Sequence, residues 1–195
     1  MNGKFIVIYG ANNLGKTTQI TMLQEYLQQK GIVAKQVKYP LYKLEPTGPI
    51  INAVLREGKE MEEHELQKLY VQNRLDFEPQ LRDWLSDNVW VIAEDYVGTG
   101  IAWGMVRGVS LPFLEEINAG LYPADISILL YGERFLTGRE THNRNEADDA
   151  IWHKAQANHE MLGEKYGWQT VNANQSRDEV QRDIIKVIDK YIKNV

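Results

Sequence analysis

The chain of 195 residues has no cysteine. That excludes disulfides, thiolate metal sites and a cysteine nucleophile, and it fits a reducing compartment. Histidine is scarce: His64, His142, His153 and His159 are scattered without metal-ligand spacing. No apolar run approaches the ~18 residues of a membrane span, so no membrane association is expected. No basic-then-apolar leader precedes the first strand, so a secretion signal is not expected and a cytoplasmic location is. Positive charge is also in deficit, with 22 Lys and Arg against 27 Asp and Glu and a net charge of −5. Such a surface does not grip nucleic acid nonspecifically, and an anionic ligand must be held by a local basic cluster. Repeats and low-complexity linkers are absent as well. The length suits a single domain over residues 1–195 with a full core.

What is present is concentrated near the N-terminus. Phe5 to Tyr9 is an apolar run that predicts a buried parallel strand. Gly10-Ala11-Asn12-Asn13-Leu14-Gly15-Lys16-Thr17 follows it directly. This is the G-x-x-x-x-G-K-[ST] pattern of a phosphate-binding loop. Glycines let the backbone close around a polyphosphate, so that N–H groups from Asn12 to Thr18 can face it. Lys16 would set a point charge on the β and γ phosphates, and Thr17 would offer its hydroxyl to Mg²⁺. The helix that begins here adds its N-terminal dipole. The bland alternative is a glycine-rich strand-to-helix turn; a strand before and a helix after favour the phosphate loop.

Strand-like and helix-like segments then alternate. Thr17 to Gln29 predicts a helix with Ile20, Leu23 and Leu27 on one face, and Val33 to Tyr39 a second strand. A loop with Pro40, Pro46, Gly48 and Pro49 leads to a short helix, Ile50 to Arg56. A long helix begins near Glu62, and Pro79 should kink or restart it. Val89 to Ala93 predicts a third strand ending in Glu94-Asp95-Tyr96. Helices over Ile101–Val106 and Leu111–Asn118, a strand over Ile126–Leu130, a helix over Ile151–Tyr166 and a short strand over Gln169–Val171 follow. Ser176-Arg177-Asp178-Glu179 is a capping box for the last helix. The pattern implies a three-layer α/β/α fold around a mostly parallel five-stranded sheet. Ligands of such sheets bind beyond the carboxyl ends of the strands, so Gly10 and Glu94 should face one crevice.

Three features bear on chemistry there. Glu94 and Asp95 can hold Mg²⁺ directly or through water, or they can be turn residues. Tyr70 and Arg74 are four apart on one helix, so an aromatic can stack on a base while an arginine reaches an acceptor or phosphate; a half-buried tyrosine with a surface arginine is the alternative. Gly132 to Asp149 is polar and carries Arg134, Arg139 and Arg144. It is either a lid that brings cations to a transferring phosphoryl group or a solvated loop.

This order of parts resembles the thymidylate kinase family of P-loop NTPase nucleoside monophosphate kinases, over nearly the whole chain. The carriers are Gly10 to Gln19, Tyr39-Pro40, Tyr70-Val71-Gln72-Asn73-Arg74, the strand end from Glu94 to Trp103, Arg144-Asn145-Glu146, Trp152-His153 and Asn172-Ala173. The resemblance implies an ATP- and Mg²⁺-dependent transfer of the γ-phosphate to dTMP by a homodimer. It implies that Gly10, Asn12, Asn13, Leu14, Gly15, Lys16, Thr17, Thr18 and Asn172 hold the donor, and that Thr17 and Glu94 hold the metal. Asn12, Tyr39, Tyr70, Arg74, Asp95, Tyr96, Trp103 and His153 would frame the acceptor. Lys16, Glu94, Arg139 and Arg144 would act on the transferring group. The chain departs from the family pattern at several of these positions. Asn12 stands where an acid usually reads the sugar, and His153 where a thymine-reading amide is usual. Asp95 replaces the arginine that usually grips the monophosphate, so Arg74 is expected to hold that phosphate with help from other cations, and Lys43 or Arg107 could replace the missing arginine. Asp95 also leaves open a neutral acceptor, as in a deoxynucleoside kinase. A nucleotide-binding switch is the third reading.

Overall fold

The strand and helix patterns assemble as expected in the computed structural model, which describes residues 3–135 and 148–192. In chain order the elements are β1 (Phe5–Tyr9), α1 (Lys16–Gln29), β2 (Ala34–Lys38), α2 (Thr47–Arg56), α3 (Glu63–Ser86) and β3 (Trp90–Glu94). They continue with α4 (Val97–Val106), α5 (Leu111–Asn118), β4 (Ile126–Tyr131), α6 (Asp149–Tyr166), β5 (Gln169–Asn172) and α7 (Arg177–Ile192). The sheet has five parallel strands in the order β2-β3-β1-β4-β5. β1 and β3 are buried at every position, because both faces of a parallel sheet are covered.

Alternation along β1 separates two cores. Ile6 and Ile8, with Ile92 and Ile128, pack against Ile20, Leu23 and Leu27 of α1 and Val180, Ile184, Val187 and Ile188 of α7. Phe5, Val7 and Tyr9, with Val91 and Ala93, pack against Leu81 and Leu85 of α3. Each such side chain contributes roughly 1.5–3 kcal/mol by leaving water. The start of α7 is closed by Ser176 and Glu179: Ser176 donates its N–H (3.0 Å) and its hydroxyl (2.6 Å) to the Glu179 carboxylate. β1 lies between β3 and β4, so the chain reverses its winding at β1, and the crevice opens at the carboxyl ends there.

Three element boundaries differ from the sequence reading. α2 begins at Thr47, three residues before Ile50, and takes Gly48 and Pro49 into its first turn. An N–H is not needed at Pro49 there, and a Cβ on Gly48 would lie 2.2 Å from the Leu41 carbonyl oxygen. α3 runs from Glu63 to Ser86 without a restart at Pro79. α4 starts at Val97, so Gly98 and Gly100 are inside it. Both glycines allow close approach: a Cβ on Gly98 would sit 2.3 Å from the Trp168 ring, and one on Gly100 would sit 2.6 Å from an Arg74 Nη. Packing overrides their poor helix propensity.

Candidate active site

The phosphate loop is shaped by its backbone. Gly10 (φ 141°) and Gly15 (φ 81°) take conformations that favour glycine, and Asn13 (φ 63°) sits in the left-handed region that asparagine tolerates. A Cβ on Gly10 would come within 2.6 Å of the Leu130 carbonyl oxygen. Lys16 is 5% exposed and curls over its own loop, donating to the Gly10 (2.8 Å) and Ala11 (3.0 Å) carbonyls. Its Nζ lies 3.5 Å from Asp95 Oδ1. Leu14 is buried in the core beneath the loop.

Register brings the acids here. Glu94 lies beside Ile8 on β1 and Lys38 on β2. Its Oε2 accepts from the Thr17 hydroxyl at 2.7 Å, and its Oε1 pairs with Lys38 Nζ at 2.8 Å. Burial works to raise the Glu94 pKa, but Lys16 and Lys38, with the hydrogen bonds from Lys38 and Thr17, hold it below the ordinary glutamate value. Asp95, at φ 63°, accepts from the Thr99 hydroxyl at 3.0 Å. Burial pushes its carboxyl up, and Lys16 offsets this only in part. Thr17 and Glu94 carry hard oxygen atoms of the kind that could hold Mg²⁺. Among the described residues no cluster of three or more His, Cys, Asp or Glu could hold a metal alone.

A cavity of about 560 Å³ runs from this loop across the sheet edge, a volume typical of small-molecule sites. Asn12, Asn13, Gly15, Lys16, Thr17 and Thr18 line one end. Glu94 and Asp95 line its middle, and Tyr39, Tyr70, Arg74, Tyr96 and Trp103 complete the wall. Arg74 is buried; its Nη2 donates to the Tyr96 carbonyl (2.9 Å) and its Nη1 to Asn118 Oδ1 (3.1 Å). Its Nε–H is buried without a protein partner. Asn73 fixes the loop after β2 by accepting from the Leu41 N–H at 2.8 Å and donating to the Leu41 carbonyl (3.2 Å) and the Thr47 hydroxyl (2.8 Å).

Other sequence-derived candidates lie elsewhere. His153 is exposed on α6 and does not line the cavity, and Trp152 is buried behind the phosphate loop, donating its indole N–H to the Asn12 carbonyl at 2.7 Å. Helix periodicity explains this, since Trp152 must face the core and its neighbour then faces solvent. Asn172 is the exposed last residue of β5; its side chain accepts from the Asn174 N–H at 2.8 Å. Neither Lys43 nor Arg107 lines the cavity. Arg139 and Arg144 lie outside the described residues, as does most of the lid segment 132–149. On its described flanks, the Phe135 N–H donates to the Asn13 carbonyl at 2.8 Å, and Arg134 pairs with Asp149. The cavity also holds residues the sequence reading missed, among them Lys38, Tyr42, Arg56 and Phe135. Lys38 was findable, because it ends a strand at the carboxyl edge where such sheets bind ligands.

The chain matches the thymidylate kinase family model over residues 8–184. A thymidylate kinase of Homo sapiens is 26% identical over 93% of this chain and 88% of its own length. That of Dictyostelium discoideum is 24% identical over 99% of this chain and 88% of its own. The solved thymidylate kinase of Candida albicans superposes with a TM-score of 0.82 at 21% identity, over 97% of this chain and 92% of that one, which shows a common fold. With its phosphate loop, parallel sheet and a family match over most of its length, the chain belongs to the thymidylate kinase family.

Proposed function

We propose that the protein is a thymidylate kinase that moves the γ-phosphoryl group of ATP to dTMP, giving dTDP and ADP. One observation carries the reading: a single cavity joins a phosphate loop to a pocket walled by Tyr70, Arg74 and Trp103. A nucleotide switch needs no such second pocket. The backbone from Asn12 to Thr18 cradles the donor, and Lys16 leaves its loop carbonyls to meet the β and γ phosphates. Thr17 and Glu94 would hold Mg²⁺, which would supply positive charge to the transferring oxygens. Tyr70 stacks on the base, and Arg74 lines the acceptor pocket beside it. Tyr39, Tyr96 and Trp103 exclude water around the acceptor. Arg139 and Arg144, from the segment 132–149, serve as the cations over the transferring group. The enzyme works as a cytoplasmic homodimer of single-domain chains, without nucleic-acid partners. No described helix is long and apolar enough to cross a membrane.

The test is ADP production with each deoxynucleoside monophosphate and its nucleoside as acceptor. dTMP should exceed thymidine by a wide margin, and Lys16→Ala should lower turnover by about three orders of magnitude or more while leaving the fold intact. Thymidine accepted as well as dTMP would replace this reading with a deoxynucleoside kinase, for which Asp95 is the favouring observation.

A further inference from the structure

We propose that Lys38 is the specificity-determining cation that receives the acceptor's phosphate, a role that rests on the kinase reading above. The argument begins from the charges that line the cavity: Lys16, Lys38, Arg56 and Arg74 against Glu94 and Asp95. With a net charge of −5 on the chain, a phosphate dianion needs local cations, and among the described residues that line the cavity these four are the candidates. Lys16 is folded over the donor loop. Arg74 is buried at the pocket wall and committed to the Tyr96 carbonyl and Asn118. Arg56 lies at the end of α2 with its guanidinium 4.2 Å over the Tyr42 ring and Nη1 on Asn52 Oδ1.

Lys38 differs in place and in freedom. It is the last residue of β2, level with Glu94 on β3. Its ammonium contacts one oxygen of the carboxylate whose other oxygen is bonded by Thr17. It therefore stands one carboxylate away from the residue that meets the donor's phosphates, where the acceptor's phosphate must arrive for in-line transfer. Its side chain is 56% exposed, so the flexible stem can carry the charge from Glu94 to an anion while the Thr17 hydroxyl still donates to Glu94. The position after Glu94 cannot serve, because Asp95 is an acid aimed at Lys16 and Thr99. Thus the strand next to β3 supplies the positive charge that the end of β3 lacks.

The experiment measures binding of each deoxynucleoside monophosphate and its nucleoside to the full chain by calorimetry, without ATP or metal, alongside KM and kcat. The variants are Lys38→Met, which keeps the stem, and Lys38→Arg, which keeps the charge. Lys38→Met should weaken the monophosphate by about ten- to hundredfold, the range of one charge-assisted contact. Nucleoside binding and the KM for ATP should not change, and Lys38→Arg should restore most of the loss. Equal monophosphate affinity in wild type and Lys38→Met would overturn the proposal while leaving the kinase reading intact. A wild type that prefers another monophosphate overturns only the thymine assignment, and the same comparison is made with that nucleotide. A wild type that takes nucleosides alone overturns both.

Discussion

His159 offers a test of the buried electrostatics beneath the phosphate loop. It is completely buried on α6, and its Nδ1 is 2.7 Å from the Ala155 carbonyl, which fixes that nitrogen as the donor. Its Nε2 has no partner. Burial lowers its pKa from 6.5 to about 4; the Ala155 hydrogen bond opposes this in part, and Lys16 adds a smaller lowering contribution. A histidine with a depressed folded pKa stays neutral in the native state while the unfolded chain takes up a proton. Stability is then unaffected above the unfolded pKa and falls as the pH drops from 6.5 towards about 4. The full effect is about 3 kcal/mol, and about 2 kcal/mol of it is lost between roughly pH 7 and pH 5. For a chain of this length that lowers Tm by roughly 4–8 °C. His159→Asn keeps a donor near the Ala155 carbonyl but cannot titrate. Urea unfolding followed by far-UV circular dichroism should show a smaller loss for the variant than for wild type over that interval. The carboxylates lose their contribution mainly below about pH 5, so the interval reports on histidine. If the two proteins lose stability equally, His159 is not the buried neutral group described here.

Two further substitutions probe the walls of the cavity. Gly100→Ala places a methyl 2.6 Å from an Arg74 Nη and displaces the guanidinium from Tyr96 and Asn118; acceptor KM should rise about tenfold or more with donor KM unchanged, and unchanged acceptor kinetics would remove Arg74 from the acceptor site. Trp152→Phe removes the indole donor to the Asn12 carbonyl; stability should fall by about 1–3 kcal/mol and the KM for ATP should rise, whereas an unaltered ATP KM would show that the loop holds its shape without that bond.

Much of the fold can be read directly because its signals are local. Apolar runs place β1, β3 and β4, and the spacing of Gly10, Gly15 and Lys16 places the donor site at their carboxyl ends. What escapes the sequence depends on tertiary contact. Gly98 and Gly100 precede the helix that the sequence predicts from Ile101, yet they lie within α4, packed against Trp168 and Arg74. Pro79 reads as an interruption, and α3 passes through it. Trp152 and His153 match a motif, but motif spacing does not say which of two adjacent helical side chains faces inward. Lys38 lies on an edge strand with a mostly exposed burial pattern, so its charge resembles ordinary solvation until register sets it against Glu94.

Asp95 shows how far a single residue can mislead when it is read alone. A carboxylate about 4 Å from a phosphate charge costs roughly 4 kcal/mol at an effective dielectric of 20, which by itself favours a neutral acceptor. The fold changes the sum. Asp95 takes a left-handed backbone conformation that turns the chain at the end of β3, and its carboxylate is occupied by Lys16 and the Thr99 hydroxyl. Burial raises its pKa further, which eases its neutralisation when Lys16 moves to a donor phosphate. Meanwhile Lys38 reaches the cavity from the neighbouring strand. The sign of the residue at one motif position therefore does not set the sign of the pocket. Among the described residues, the field that an incoming phosphate meets is the balance of four cations and two acids distributed over β2, β3, α1, α2, α3 and the strand-end turn, and only two of those cations lie in recognisable motifs.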